Sequence, residues 1–234
     1  MRQTGTMFVK EFKTYFISPI AYIVIAIFLV VTGWFFFSTY FLRGQATLRY
    51  FFEMLPFVFS FVVPAVTMKL FSEELNTGSY ELLMTMPVTF RQVLVAKLAA
   101  ATAFVAVMLV PTLPYAVSVA FTGDLDWGPV AGGYLGALFL GLVFSAIGLF
   151  ASALTRNQII AFIVAAAICF GLTVLDLMLF FLPAPLLDVL QYLAAGAHFE
   201  NISKGVVDSR DLLYFLSLAF VALYGAYLAL TEKQ

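Results

Sequence analysis

Side chains able to do chemistry are sparse in this 234-residue chain, and most of them stand alone. Its single cysteine, Cys169, sits in an apolar run with no partner for an intrachain disulfide or a multi-cysteine metal site, and reads as a small packing residue. The single histidine, His198, has no second imidazole with which to share a metal, and is expected to be an interfacial hydrogen-bonder. No G-x-x-x-x-G-K-[ST] phosphate loop, H-E-x-x-H or G-x-S-x-G occurs, so neither a catalytic centre nor a metal site is expected. Asp176, in VLDLM, is a candidate intramembrane polar site. Its carboxylate either faces a bundle interior as a proton relay or reaches the interface about 9 Å away at helical rise; no Lys, Arg or His shares its run.

The densest chemistry lies in EELNTGSYELLMTMPVTFRQVLVAK, from Glu73 to Lys97, between two long apolar runs. Gly78 loosens the chain and begins a short helix with Glu81 near its positive end, and Pro87 stops it after about two turns. Tyr80, Leu83 and Met84 share one face of that helix, Glu81 and Thr85 another. Such a segment has two physical uses: its apolar face presses into a groove on a partner, or it lies on lipid headgroups.

The surrounding elements follow from composition. A chain 63% hydrophobic and 11% charged, with mean hydropathy +1.03, has too little polar surface to cover a water-soluble globule of this size. The formal charge of −1 and the lack of a basic block exclude a nucleic-acid partner, which needs clustered Lys and Arg. Apolar runs near the ~20 residues that cross hydrocarbon fall at about 20–42, 51–71, 93–121, 129–154, 159–182 and 212–230. The first is longer than a signal-peptide core and lacks a cleavage site, so it is read as a retained span. The third is expected to tilt or break near Pro111 and Pro114.

Lys and Arg set the orientation. Arg2, Lys10, Lys13, Lys69, Arg91, Lys97, Arg156 and Lys233 fall on the side of the termini; Arg43, Arg49, Lys204 and Arg210 lie opposite, where Asp124, Asp126, Asp188, Glu200, Asp208 and Asp211 leave an acidic balance. Both termini are therefore expected in the cytoplasm. Met7, Phe8, Phe12, Tyr15 and Phe16 share one face of residues 5–18, with Lys10 and Lys13 elsewhere and Pro19 breaking the pattern. This stretch is an interfacial helix or an N-terminal extension of the first span. The outer segment 183–211 opens with Leu186, Leu187, Leu190 and Leu193 at helical spacing but is too short to cross; it dips in and returns, or lies flat. In the fourth span Gly132 and Gly136, Gly141 and Ser145, and Gly148 and Ser152 pair four apart, which lets another backbone approach, within the chain or from a second subunit.

The order Glu73, Glu74, Thr77 to Leu83, Met86 to Val88, Arg91 and Lys97 closely resembles the connector after the second span of ABC-2 type transporter permeases. Ser79 stands where that family often has Thr. The likeness covers nearly the whole chain, and His198 to Phe215 resembles the matching segment of gliding-motility-type permeases. It implies an all-α membrane protein of ABC-2 exporter-type fold: one permease domain over 1–234 with six transmembrane helices, an N-terminal amphipathic interfacial helix, a cytoplasmic coupling helix at about 77–87 and an outer re-entrant segment.

The resemblance also implies a function. The chain is expected to be the non-catalytic permease subunit of an ATP-binding-cassette transporter in the bacterial inner membrane. ATP and Mg would be bound by two copies of a cytoplasmic ABC ATPase, with no cofactor on this chain. A second permease would complete a homodimer or heterodimer, a periplasmic-domain protein is a further candidate partner, and lipid surrounds the spans. Glu73, Glu74 and Glu81 are then contacts to basic residues of the ATPase, and Tyr80, Leu83 and Met84 fill its apolar groove, with Thr77, Gly78 and Pro87 shaping the helix. Two other readings remain open: a mechanical transmitter to periplasmic partners without solute flux, and a proton-coupled carrier using Asp176. Permeases serving assembly of a periplasmic copper enzyme share the size and layout.

Overall fold

Backbone amides in hydrocarbon have no water to bond, so apolar runs of this length close their hydrogen bonds within each segment as helices. In the computed structural model, which describes residues 2–43, 45–80, 88–178, 194–206 and 208–232, every regular element is helical. They are α1 (Arg2–Ile17), α2 (Pro19–Arg43), α3 (Arg49–Thr67), α4 (Ser72–Thr77), α5 (Phe90–Leu109), α6 (Leu113–Thr122), α7 (Trp127–Leu154), α8 (Gln158–Met178), α9 (Ala195–Ser203) and α10 (Ser209–Thr231). Six candidate spans result, at Pro19–Leu42, Arg49–Thr77, Phe90–Thr122, Trp127–Leu154, Gln158–Leu175 and Ser209–Thr231.

The second span reaches farther than its apolar run, because α4 continues it beyond a turn at residues 68–71. The third runs as α5, a single 3-10 turn at Val110–Thr112, then α6. Pro111 lies in that turn and Pro114 opens α6; a tighter turn is the local solution where two rings remove amide donors. Asp126 caps α7 by accepting the Gly128 amide at 3.0 Å, and Asp208 caps α10 through the Arg210 amide at 3.0 Å.

α7 is the centre of the bundle, touching α3, α5, α8, α9 and α10. The spans of α3, α5 and α7 are 61%, 61% and 72% buried, against 22% for those of α2, α8 and α10, which therefore form the outer layer. The small residues of α7 are used inside the chain. A Cβ on Gly148 would strike the Thr67 hydroxyl of α3, one on Gly141 would come within 2.7 Å of Val105 Cγ1 of α5, and one on Gly132 would strike the Ile202 carbonyl in the last turn of α9. Gly136 faces Phe199 and Ile202 at 3.2 Å on the same measure. Ser152 is buried and donates to the Leu149 carbonyl at 2.8 Å, while Ser145 is buried with no hydrogen-bond partner among the described residues.

Of the outer segment, α9 is described and lies against the start of α7; Leu186, Leu187, Leu190 and Leu193 fall outside the described residues. Asp176 lies on α8, with its side chain outside the described set.

Candidate functional site

The stretch that resembles a coupling connector folds in two parts. α4 carries Glu73, Glu74 and Thr77 and stops at Gly78, whose φ of 73° is left-handed, a conformation that glycine reaches without a Cβ clash. Gly78 thus ends one helix; the backbone is helical again at Ser79 and Tyr80. Thr77 donates to the Glu73 carbonyl at 2.9 Å and its hydroxyl lies 2.9 Å from that of Ser79, tying the two sides of the glycine together. Glu81, Leu83, Met84 and Pro87 lie outside the described residues.

Glu73, Thr77, Gly78 and Ser79 are exposed. Glu74 and Tyr80, expected to face a partner, instead turn inward. Tyr80 is 6% exposed: its ring packs 6.3 Å from Phe90 at the start of α5, and its hydroxyl donates to the Leu230 carbonyl near the end of α10 at 3.3 Å. Burial, with a smaller contribution from Glu74, pushes its phenol up to about 12, so it remains a neutral donor at physiological pH. Hydropathy placed Tyr80 on an apolar face but carries no information on which helix covers that face.

Glu74 reaches Lys97, about two turns into α5. The ammonium lies 2.7 Å from Glu74 Oε1 and 3.2 Å from Glu11 Oε2 of α1, and 5.1 Å from the centre of the Phe71 ring. Lys97 is 2% exposed, Glu11 13% and Glu74 23%, so this three-residue ion cluster is largely desolvated. A buried lysine keeps its charge only when paired and hydrogen-bonded, which the two carboxylates provide. The cluster joins three elements distant in sequence: the amphipathic helix α1, the connector helix α4 and the third span.

Positive-inside counting had treated Lys97 as one more charge at a membrane face. A lone lysine within VLVAKLAAATAFV was the available signal, because an ionisable group in an apolar run needs a partner. Glu11 offered a second: it falls between Met7 and Tyr15 on the apolar stripe of α1. That stripe packs on α5, where Tyr15 and Phe16 lie 5.0 and 5.7 Å from Phe104, ring centre to ring centre. Burial, then the nearby Glu11 carboxylate, raises the Tyr15 phenol far above its ordinary value.

At the opposite end His198 Nδ1 lies 2.6 Å from Asp211 Oδ1, both buried, and the imidazole stacks on Tyr214 at 4.0 Å. His198 is thus a buried hydrogen-bonding partner tying α9 to α10. Asp211, which counts toward the acidic balance of that side, is buried. Beside them Glu200 joins Lys204 at 2.8 Å and Arg49 at 3.6 Å, linking α9 to the start of α3.

Six apolar spans, an amphipathic helix packed along one end, and a polar connector joined to that helix define a multi-pass helical membrane protein. The family described as ABC-2 family transporter protein matches residues 39–231, most of the chain, and the protein belongs to that family. Membership makes it the membrane permease component of an ABC transporter and implies association with an ABC ATPase. No curated protein matches the chain.

Proposed function

We propose that this chain is a non-catalytic permease subunit that receives the stroke of a separate ATPase through the segment from Glu73 to Pro87 and passes it to the third span. The ATPase meets the connector at its exposed residues Glu73 and Thr77 and, as the family resemblance implies, at Glu81, Leu83 and Met84, while Glu74 and Tyr80 transmit from beneath. The observation that carries this reading is the Lys97 cluster. Drawing Glu74 away would take from a buried cation the nearer of its two carboxylates and leave it Glu11 of α1, so moving α4 alone is costlier than moving α4, α5 and α1 together. Tyr80 adds a tether to the end of α10. A push on a short polar lever thereby becomes a displacement of spans, which alters a path across the membrane for export or for conformational work.

The positive-inside pattern supports a bacterial inner-membrane location with cytoplasmic termini, so the connector meets the compartment that holds ATP. Two ATPase copies and a second permease fit this scheme, with ATP and Mg on the ATPase. His198 to Phe215, the stretch spanning α9 and the start of α10, supports the gliding-motility-type permeases as the subfamily.

Leu83→Asp tests the docking surface. The expected outcome is loss of the co-purifying ATPase with membrane insertion intact, read by affinity purification from membranes; undiminished ATPase recovery overturns the docking role.

A further inference from the structure

The third span changes character at its 3-10 turn. On the connector side, α5 is buried over more than half of its residues and is tied to α1 and α4 through Lys97 and to α1 again through Phe104. Beyond the turn only Ala116 and Val119 of α6 are buried, Tyr115 and Ser118 are half-buried, and the rest of the helix is exposed. The joint between them is weak, because Pro111 and Pro114 supply no amide and the Leu113 amide donates to the Val110 carbonyl in the tighter 3-10 pattern. Interruptions of this kind inside a helix commonly serve as hinges. Side chains hold α6 to α2. The Tyr115 ring stacks on Phe36 at 5.0 Å and meets Phe37 at 5.6 Å and Phe51 of α3 at 5.7 Å edge to face. Its hydroxyl reaches the Leu29 carbonyl at 3.4 Å over Gly33, where a Cβ would lie 2.9 Å from Tyr115 Oη. At the far end of α6 the Thr122 hydroxyl bonds that of Tyr40. The Thr112 hydroxyl, within the turn, lies 2.9 Å from the Tyr134 hydroxyl of α7 and so fixes the pivot to the bundle centre.

We propose that α6 is a hinged flap: it swings away from α2 about Val110–Thr112 while α5 stays in the bundle, and Tyr115, seated over Gly33, is its latch. The closed position rests on a few ring contacts and two hydroxyl bonds, which a single substitution can upset. α5 has no such freedom, since moving it breaks a buried ion cluster and its packing on α7. Opening parts the seam between α2 and α6 at the end of the bundle opposite the connector and uncovers Ala116 and Val119. This inference does not depend on ATPase docking.

The test measures spin-label distances in the full chain in phospholipid nanodiscs. One pair, Val30→Cys with Phe121→Cys, joins exposed positions of α2 and α6; a second, Val30→Cys with Val107→Cys, joins α2 to α5 just before the turn. Cys169 is fully buried and takes no label. Tyr115→Leu should raise the ratio of long to short distances about tenfold for the α2–α6 pair, the worth of one good aromatic contact, and leave the α2–α5 pair as it is in the parent. Gly33→Val, whose side chain takes the space under the Tyr115 hydroxyl, should shift the same pair in the same direction with the ring retained, and decides the matter if Tyr115→Leu does not fold. An unchanged α2–α6 distribution in the folded variants would overturn the proposal. So would an equal lengthening of the α2–α5 pair, because the whole span would then be moving and the turn would not be a hinge.

Discussion

Lys97 is where charge, burial and connectivity meet. Its ammonium has a carboxylate from α4 and another from α1, and its surroundings leave it 2% exposed. Lys97→Met keeps most of the stem and removes the charge, so Glu11 and Glu74 would face each other without a cation. Breaking one side of a buried pair in this way costs about 3–5 kcal/mol. We expect a loss of that order in the unfolding free energy of the detergent-solubilised protein, measured by denaturant titration. Combining Lys97→Met with Glu11→Gln and Glu74→Gln should restore most of it, since no buried charge then remains unpaired. A single variant as stable as the parent would show that the cluster is solvated in the membrane. Tyr80 differs in kind: its phenol is pushed up to about 12 chiefly by burial, so its link to Leu230 does not switch with pH in the physiological range.

At the scale of elements, the close approach of α7 to α3 depends on a glycine rather than on a large interdigitating side chain. Gly148→Ala forces a methyl against Thr67, a β-branched residue whose hydroxyl already donates to the Val63 carbonyl at 2.9 Å and has little freedom to turn away. Overpacking of this kind costs about 1–3 kcal/mol. Gly171→Ala, on α8, meets nothing within 4 Å and should be neutral or stabilising by up to roughly 1 kcal/mol through helix propensity. Thermal unfolding of the two variants side by side checks this; equal behaviour would mean that the α3–α7 contact is looser than its geometry. The same comparison separates packing from propensity, because both substitutions are glycine to alanine within a helix.

For the whole molecule, an even number of spans and the tether of Tyr80 to the end of α10 place the connector and the C-terminal helix end together. Cysteines introduced at Glu232 and Asp124, both exposed, should label with an impermeant thiol reagent from opposite faces of the membrane, Glu232 from the cytoplasmic one. Cys169 is fully buried and should stay silent, which leaves the parent chain as the blank. Labelling of both sites from one face would overturn the orientation and remove the connector from the compartment that supplies ATP. The outer layer of α2, α8 and α10 is the least buried part of the bundle, so it is the part that meets lipid or another subunit.

Hydropathy and helical periodicity are local, and what is local was legible. The spans, the break at Pro111 and Pro114, the apolar stripe of α1 and the four-residue spacing of small side chains on α7 all follow from residues within a few turns of one another. The connector could be recognised by the order of its residues, but its burial could not. That Glu74 turns to Lys97 and Glu11, that Tyr80 closes on α10, and that His198 meets Asp211 are decided by which helices pack together. Charge pairing acts over a few ångströms of space and is indifferent to distance along the chain, so a sequence can show that a buried lysine needs a carboxylate without showing which one it has.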